Sequence, residues 1–512
     1  MLIKTYGGAI YGIEATTITI EVNITGGTRY YIVGLPDNAV KESLQRIESA
    51  LSAAGMRMPR QKIVVNLAPA DIRKEGSAYD LAIAMGILAA SRQLEAPALG
   101  DFLMLGELSL DGGVQPIKGA LPVAMQAVRD GFKGLILPHA NAREAAAVTG
   151  LKVYGIRHIK EAIAFMAGKE PLDRVTVDTR SGSMEQSSDY DTDFADVQGQ
   201  ENIKRALEIA AAGGHNVLLI GPPGSGKTML AKRLPTILPP LSLDESLETT
   251  KIHSVAGTLS TAESLITTRP FRSPHHTISD VALVGGGANP KPGEISLAHN
   301  GVLFLDELPE FKRAVLEVMR QPLESRQITI SRARFSVDYP ASFIMVAAMN
   351  PCPCGFYNHP QKTCVCPAGM VRKYLHKISG PLLDRIDLHV EVTPVDFQAL
   401  ASPRPVETSA TIRRRVMAAR KRQAQRFEAN ATIHCNAQMS PRQLHERCRI
   451  DESSQALLKT AMERLGLSAR AYDRILRVSR TIADMAGSDT IGPEHVAEAI
   501  QFRSLDRDSW AD

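Results

Sequence analysis

Residues 216–228 read Asn-Val-Leu-Leu-Ile-Gly-Pro-Pro-Gly-Ser-Gly-Lys-Thr, an apolar run followed directly by a glycine-rich loop. The run 217–220 is short and continuous, as in a strand buried on both faces of a parallel sheet. The glycines let consecutive N–H groups turn toward a phosphate at the start of the following helix. The stretch predicts a nucleoside triphosphate site, in which Lys227 reaches the β- and γ-phosphates and Thr228 binds Mg²⁺. The residues of this predicted phosphate loop are Gly221, Pro222, Pro223, Gly224, Ser225, Gly226, Lys227 and Thr228.

The composition of the chain is that of a soluble globular protein with several domains. Its 512 residues are 44% hydrophobic, and the formal net charge of +4 permits a nucleic-acid partner without requiring one. Residues 1–8 are too polar and glycine-rich for a signal peptide, and the most apolar stretch, 81–90, is too short to span a bilayer. We therefore expect a cytoplasmic protein with no membrane partner.

Changes in pattern divide the chain into three blocks and one linker. Residues 1–167 alternate strand and helix patterns, beginning with an expected hairpin between 18–24 and 30–33, and predict an α/β domain. Residues 168–195 are polar, acidic and aperiodic, which is typical of a flexible linker. The block 196–394 contains the phosphate loop and the other buried-strand patterns, and 395–512 is helical by pattern. The predicted fold class is α/β multidomain, with a parallel sheet in the central block and a helical lid after it.

Two further apolar runs end in polar residues that suit nucleotide hydrolysis. The run 301–305 is followed by Asp306 and Glu307. Asp306 can hold the Mg²⁺ bound by Thr228, and Glu307 can polarise the attacking water. A third run ends in Asn350, whose amide can orient the water or touch the γ-phosphate. The alternative for Asn350 is a simple turn residue at a strand end.

Together these segments resemble the AAA+ ATPases, which implies ATP as the nucleotide. Residues 382–387, Leu-Leu-Asp-Arg-Ile-Asp, are similar to a motif of the magnesium-chelatase and replicative-helicase branch, which implies that Arg385 is an arginine finger. Ser468-Ala469-Arg470 is similar to the second sensor of that branch, which implies that Arg470 contacts the γ-phosphate; Arg474 is the alternative. Because such a finger acts on the nucleotide of a neighbouring subunit, the resemblance implies a ring, by the family's habit a homo-hexamer.

Several basic segments are candidates for contact with DNA. The resemblance implies a hairpin at 328–337 that carries Arg332 and Arg334, and an insertion at 271–293 that is either a pore loop or a plain surface loop. Residues 413–426 carry seven cations and no acid, which indicates either phosphate contact or a solvated helix face. Since no module for reading base sequence is evident, the expected partner is single-stranded or branched DNA recognised without sequence specificity.

The first block is similar to Lon-type protease domains in the segments 74–81 and 106–119. Lon-type proteolysis needs a serine nucleophile activated by a lysine. The position that corresponds to the nucleophile holds Ala78, and Ser77 and Lys118 are each displaced from the family positions. The resemblance therefore implies a Lon-like α/β domain without proteolytic chemistry.

Four cysteines, Cys352, Cys354, Cys364 and Cys366, lie in the pattern Cys-x-Cys-x₉-Cys-x-Cys. Two close pairs of thiolates can complete a tetrahedral Zn²⁺ shell. Free or redox-active thiols are the alternative. The pattern predicts a zinc site in the loop 352–366 of the central block.

A Lon-like domain, a chelatase-type AAA+ core and a short helical domain, in this order, resemble the ComM (YifB) family of bacteria over essentially the whole chain. The resemblance implies an ATPase coupled to DNA translocation, a hexameric helicase that promotes branch migration in homologous recombination during natural transformation. DNA and a recombinase are the implied partners. A magnesium-chelatase motor subunit and an ATP-dependent Lon-like protease are the alternatives; the chain carries no tetrapyrrole-handling signature, and Ala78 disfavours proteolysis.

Overall fold

The chain folds into two compact units, which we call unit 1 and unit 2. A computed structural model describes residues 1–177, 190–260, 263–287, 290–332, 335–357, 359, 361–394, 406–428 and 433–503. Unit 1 comprises Met1–Glu185 and Ser242–Ile266, and unit 2 comprises Gln186–Leu241 and Thr267–Asp512. Both units combine strands and helices, so the predicted α/β multidomain fold class is confirmed. No helix in the described ranges has the length and apolar character needed to cross a membrane.

Unit 1 is built on an eight-stranded mixed sheet. Its strands, in spatial order, are Arg174–Val175, Lys152–Ile156, Gly134–Pro138, Phe102–Met104, Leu2–Tyr11, Glu14–Thr25, Lys62–Ala68 and Tyr30–Val33. A short antiparallel pair, Glu107–Leu108 with Val114–Gln115, lies outside this sheet. The helices are Asn38–Lys41, Ser43–Ala53, Asp80–Ala90, Ala120–Arg129, His139–Ala146, Ile159–Met166 and Leu243–Ala256.

The helix Asp80–Ala90 is the centre of this unit, since all of its residues are buried. Its sequence is apolar on every face, so no side of the helix is suited to water. Gly86 permits a close approach to the sheet, because a Cβ there would lie 2.7 Å from a methyl carbon of Val22. The single acid, Asp80, is paired with Arg46 through two hydrogen bonds of 2.7 and 2.9 Å.

The prediction of a hairpin between 18–24 and 30–33 is wrong. Tyr30–Val33 pairs in parallel with Lys62–Ala68, which separates it from Glu14–Thr25. Lys62–Ala68 takes this central position because alternate side chains on it are fully buried, namely Ile63, Val65 and Leu67. The alternation of apolar residues thus predicted the strands correctly but not their partners.

The segment Ser242–Ile266 packs with unit 1, although the sequence analysis placed it in the central block 196–394. In its helix, Leu243–Ala256, the Ser254 hydroxyl donates a hydrogen bond to the buried carboxyl of Glu144. Burial raises the pKa of Glu144 despite this bond. A polar contact made inside the core fixes the position of the helix, because an unpaired partner would be costly there.

Unit 2 contains a five-stranded sheet in which every pairing is parallel. In spatial order the strands are Phe271–Arg272, Val302–Leu305, Ile344–Met349, Val217–Ile220 and Leu388–Glu391. The three middle strands are buried at every residue, as expected from continuous apolar runs. Because the strands are parallel, the residues that follow them meet at one edge of the sheet.

Helices surround this sheet and form the C-terminal part of the chain, where a helical region was predicted. They are Glu201–Gly213, Lys227–Ile237, Asp280–Val284, Glu294–Leu297, Arg313–Val318, Arg320–Ser325, Ala368–Leu375, Gly380–Leu383, Ser409–Phe427, Pro441–Arg447, Glu452–Leu465, Ala469–Met485 and Pro493–Gln501. The hairpin expected at 328–337 is present as Gln327–Arg332 paired with Phe335–Pro340. Arg334 and the side chain of Arg332 lie outside the described residues.

In the basic helix Ser409–Phe427, most arginines bind partners on other segments of unit 2. Arg413 donates to the carbonyl of Thr236 at 2.7 Å, and Arg415 pairs with Glu208 and Glu407. Further pairs are Arg420 with the carbonyl of Ala211, Arg422 with Asp489, and Arg426 with Asp484. Arg413, Arg415, Arg420 and Arg426 stabilise the packing of the helix, a use that neither alternative for 413–426 had anticipated, whereas the pair of Arg422 with Asp489 lies at the surface.

A buried charge ties the C-terminal helices to the sheet. Asp387, which precedes the strand Leu388–Glu391, accepts hydrogen bonds from the backbone N–H of Asn216 at 2.9 Å and from Arg474 at 2.8 Å. Burial would raise the pKa of Asp387, but Arg474, the nearby ring of His215 and the Asn216 amide hold it well below its usual range. The carboxylate thus joins two strand starts and the helix Ala469–Met485.

We expect Asp387→Asn to lower the free energy of unfolding by about 3 kcal/mol at pH 7, because it leaves the buried charge of Arg474 uncompensated. Since the folded pKa of Asp387 is depressed, the wild-type advantage is complete above about pH 4 and is lost as the pH falls below that value. Urea unfolding at several pH values measures this. Asp489→Asn, which removes an exposed partner of Arg422, is the matched control and should behave as wild type. Equal destabilisation by both variants would contradict the assignment.

Candidate nucleotide-binding site

The predicted phosphate loop joins the strand Val217–Ile220 to the helix Lys227–Ile237. Gly224 and Gly226 have φ angles of +77° and +87°, in the left-handed region that favours glycine. At Gly221 a Cβ would lie 2.4 Å from the carbonyl oxygen of Val392. The glycine pattern is thus required by backbone conformation at two positions and by close packing at the third.

Lys227 is buried at the first turn of the helix, where its ammonium group lies over the loop. Nζ donates to the carbonyl oxygens of Gly221 at 2.7 Å and Pro222 at 2.9 Å, and to Oδ1 of Asn350 at 3.2 Å. Burial lowers the pKa of Lys227, and the charge of Asp306 partly opposes this effect. A phosphate in the loop would offer this ammonium a charged acceptor in exchange for neutral carbonyls, which makes a stronger hydrogen bond.

Thr228 and Asp306 come together from two separate segments of the chain. The Thr228 hydroxyl donates to a carboxylate oxygen of Asp306 at 2.7 Å, and the other oxygen accepts from the backbone N–H of Glu307 at 2.9 Å. Asp306 directly follows the strand Val302–Leu305, beside the phosphate loop. A hydroxyl and a carboxylate are the oxygen ligands that Mg²⁺ prefers, so the donor set fits the predicted ion.

Glu307 lies at the same edge of the sheet in an uncommon backbone conformation. Its φ and ψ are +53° and +46°, the left-handed region that a glutamate seldom adopts. One carboxylate oxygen lies 3.2 Å from Nδ1 of His276, and the Glu307 side chain is 57% exposed. The sequence analysis did not assign His276 to the site. Its position shortly after the strand Phe271–Arg272, at the shared carboxyl edge, was the available signal.

Two polar pairs, Lys227 with Asn350 and Thr228 with Asp306, therefore lie side by side because Lys227 and Thr228 are adjacent in the chain, and Glu307 adjoins Asp306. The three strands that carry these residues are Val217–Ile220, Val302–Leu305 and Ile344–Met349, and all of them end at this edge. The chemical role of each residue stays a prediction.

The two predicted arginines have partners elsewhere in unit 2. Arg385 is 5% exposed; it forms an ion pair with Glu324 and donates to the carbonyl of Pro381. Burial lowers the pKa of Arg385, and the charge of Glu324 opposes this. Arg470 is 59% exposed and lies 3.6 Å from Asp384. The roles of both arginines at a nucleotide stay predictions, and for Arg385 that role requires release from Glu324.

The four cysteines of the loop 352–366 converge. Their sulfur atoms all lie within 4.8 Å of one another, with separations of 3.3, 3.6 and 3.7 Å among Cys352, Cys354 and Cys364. A tetrahedral zinc ion with Zn–S bonds of about 2.3 Å places its sulfurs about 3.8 Å apart. Burial raises the pKa of Cys354, but backbone N–H groups and neighbouring thiols outweigh this and lower it to about 6. The cluster fits a metal ion.

The displaced residues of the Lon-like domain do not form a catalytic pair. The Ser77 hydroxyl donates to the carboxylate of Glu107, while the aliphatic part of Lys118 packs against Gly257. The fully buried Lys74 donates to the carbonyl of Pro69, and burial lowers its pKa. Ser77 therefore has an acid rather than a lysine as its partner, which is not the arrangement that Lon-type chemistry needs.

Comparison with known proteins assigns most of the chain to domains related to magnesium chelatase. Residues 193–400 match the family described as magnesium chelatase, subunit ChlI; residues 20–141 match subunit ChlI of Mg-chelatase, and residues 406–503 match its C-terminal domain. The chain is 45% identical to the uncharacterized protein YifB of Salmonella typhimurium, over 98% of this chain and 96% of YifB. It is 44% identical to the competence protein ComM of Haemophilus influenzae, over 98% and 97%. A stretch of 167 residues is 26% identical to Lon protease 2 of Bacillus subtilis, 30% of each chain.

Two substitutions at this site should separate binding of ATP from its hydrolysis. Lys227→Ala should weaken ATP binding about tenfold to a hundredfold, because one charge-assisted contact to the phosphates is lost. Glu307→Gln should bind ATP as wild type does but lower turnover about a hundredfold or more, since the base is removed. Fluorescent-nucleotide titration and phosphate release measure the two effects.

The neighbouring exposed residues Lys232 and Glu310 provide matched controls. Lys232→Ala and Glu310→Gln should bind and hydrolyse ATP as wild type does. Wild-type turnover in Glu307→Gln would remove Glu307 from its assigned role.

Proposed function

This chain belongs to the ComM/YifB family of magnesium-chelatase-related proteins, and from this membership we propose that it is an ATP-hydrolysing motor acting on DNA. The AAA+ type of its central domain implies ATP and Mg²⁺. The proposed activity is that of a hexameric helicase, which promotes branch migration in homologous recombination during natural transformation. The similarity to a competence protein over nearly the whole chain carries this proposal. A recombinase is the proposed partner.

The polar group at the carboxyl edge of the sheet supports ATP hydrolysis. Lys227 binds the β- and γ-phosphates, and Thr228 and Asp306 are the oxygen donors placed to hold Mg²⁺. The ion, when bound, neutralises charge that develops on the phosphates. Glu307 accepts a proton from the attacking water after its carboxylate leaves His276, and Asn350 orients that water.

A ring follows from the role proposed for Arg385. The arginine pairs with the half-exposed Glu324 and donates to the carbonyl of Pro381, so its release breaks both contacts while the acid remains in water. Released, the guanidinium can stabilise the transferring phosphate of the neighbouring subunit. A finger that acts on each neighbour in turn fits a head-to-tail interface, and the proposed assembly is the closed form of such an interface, a ring.

Mixing two inactive variants tests action between subunits. Arg385→Ala alone should lower turnover about a thousandfold. In equal mixtures with Glu307→Gln, about a quarter of the interfaces should regain an intact finger beside an intact acid, so turnover should recover. Phosphate release measures the recovery, after fluorescence energy transfer has confirmed that subunits exchange. Arg442→Ala, at a highly exposed arginine, is the matched control and should be fully active alone. Exchange without recovery would contradict action in trans.

Coupling to DNA is the second test. Single-stranded or four-way DNA should bind and should raise the rate of ATP hydrolysis, because the bound substrate favours the closed arrangement of subunits. If about four phosphates of a single strand are contacted, Kd should rise roughly fiftyfold between about 50 and 200 mM salt. Fluorescence anisotropy measures binding, and strand displacement on forked DNA measures unwinding.

Unfolded casein is the control substrate for the DNA experiment. The motor proposed here neither binds nor cuts it. Stimulation and cleavage by casein without an effect of DNA would favour the protease alternative, and no response to either polymer would favour the chelatase alternative.

We also propose that the cysteines Cys352, Cys354, Cys364 and Cys366 hold a structural zinc ion. Four thiols whose sulfurs all lie within 4.8 Å of one another, with backbone N–H groups directed at the sulfurs, support this assignment over free thiols. Metal analysis of the purified protein should find about one Zn²⁺ per chain.

A further inference from the structure

The loop 352–366 forms one wall of the cavity at the phosphate loop. This cavity has a volume of about 490 Å³ and is lined on one side by residues 222–226 and on another by residues 196–200. A further wall comes from the cysteine-rich loop, through Phe356, His359, Gln361 and Lys362. A cavity of this size suits a nucleotide-sized ligand. A ligand held by the phosphate loop would therefore meet side chains that the motor motifs do not include.

Close backbone packing holds this wall against the phosphate loop. Gly355 has a φ of +84°, and a Cβ on it would lie 2.5 Å from Cδ of Pro223. The turn that carries Gly355 is closed by a hydrogen bond of 3.0 Å from its N–H to the carbonyl of Cys352. Cys352 is fully buried. A single turn of chain, closed between Cys352 and Gly355, therefore links the cysteine cluster to the phosphate loop.

The side chains of the wall are ordered among themselves. The ammonium of Lys362 lies 4.8 Å from the centre of the Phe356 ring, and the ring of His359 meets Phe356 edge-on at 5.6 Å. Nδ1 of His359 accepts from the backbone N–H groups of Gln361 and Lys362, each at 3.0 Å. The Lys362 ammonium thus covers one face of the Phe356 ring as a cation–π pair, and stacking of a base on that face requires the ammonium to move to a phosphate. An aromatic face stacks on a base and an ammonium pairs with phosphate, which together match a nucleoside triphosphate.

We propose that the cysteine-rich loop is part of the nucleotide site, with Phe356 and Lys362 in contact with the bound nucleoside triphosphate and the metal holding them in place. The metal ties the two cysteine pairs of the loop together. The free energy of metal binding therefore offsets the entropy lost on ordering the wall, and nucleotide binding does not have to offset it. Nucleotide and metal then raise each other's affinity, because such coupling is reciprocal. This inference rests on the proposed ATP and zinc sites.

The first experiment removes the wall side chains and keeps the four cysteines. In a Glu307→Gln background, which prevents turnover, Phe356→Ala and Lys362→Ala should each weaken ATP binding about tenfold while retaining full metal content. Lys373→Ala, an exposed lysine in the following helix Ala368–Leu375, is the matched control and should bind ATP as the parent does. Calorimetry measures affinity, and mass spectrometry of the metal measures content.

The outcomes of this experiment separate the inference from the proposal on which it rests. If Lys227→Ala weakens ATP binding but Phe356→Ala and Lys362→Ala do not, the wall has no contact with nucleotide and the inference alone fails. If Lys227→Ala also binds as the parent does, the phosphate loop itself is wrongly assigned.

The second experiment uses the same Glu307→Gln protein with its four cysteines intact. Its result therefore does not depend on whether a cysteine variant folds. The partition of Zn²⁺ between the protein and a chromogenic chelator is measured at equilibrium, with and without ATP. At equilibrium with the chelator, saturating ATP should raise the apparent affinity of the protein for Zn²⁺ about tenfold, as expected from reciprocal coupling of about 1.4 kcal/mol. The same protein carrying Lys227→Ala should lose this increase. Equal Zn²⁺ affinities with and without ATP, or a chain that binds no zinc, would overturn the inference.

Discussion

The parallel pairing of three buried strands is the constraint on which the site depends. Ile220 is in register with Met349, and Leu305 with Ala347, so the residues after each strand meet at one edge. This register brings the phosphate loop beside Asn350 and Asp306 beside Thr228, although long stretches of sequence separate them. No polar residue of the group needs a place in the interior of the sheet, since the apolar strands end just before each one.

The same constraint explains how much of the site could be predicted from the sequence. The phosphate loop, Asp306 and Asn350 each follow a short apolar run, and parallel strands bring such positions together without knowledge of the packing. The pairings of Arg385 with Glu324 and of Glu307 with His276 depend on the tertiary path of loops and short helices, which has no local signature. Partners of this kind follow only from coordinates.

Fold prediction failed where the choice of a partner depended on competition between similar segments. The alternating strand Glu14–Thr25 could pair with any exposed edge, and Lys62–Ala68 took that place because it buries more apolar surface than Tyr30–Val33. The segment Ser242–Ile266 follows the phosphate-loop helix in sequence yet packs in unit 1, where Ser254 meets the buried Glu144. The order of segments in the sequence does not predict their packing here, because the chain leaves unit 2 after Leu241 and returns to it at Thr267.

Two residues proposed to act on ATP, Glu307 and Arg385, are held by partners within the chain. Glu307 and His276 meet at the surface, where a contact between polar side chains contributes little, so the carboxylate can exchange its partner for water at small cost. Arg385 is buried, yet its acid, Glu324, is 54% exposed and stays solvated when the pair opens. Opening the pair moves the guanidinium of Arg385 toward solvent. Burial disfavours the charged form of Arg385 in its present position, as its lowered pKa indicates, so this movement relieves that cost. In both contacts the acid stays in water, so the rearrangement that the proposed roles require leaves no carboxylate stranded in the interior.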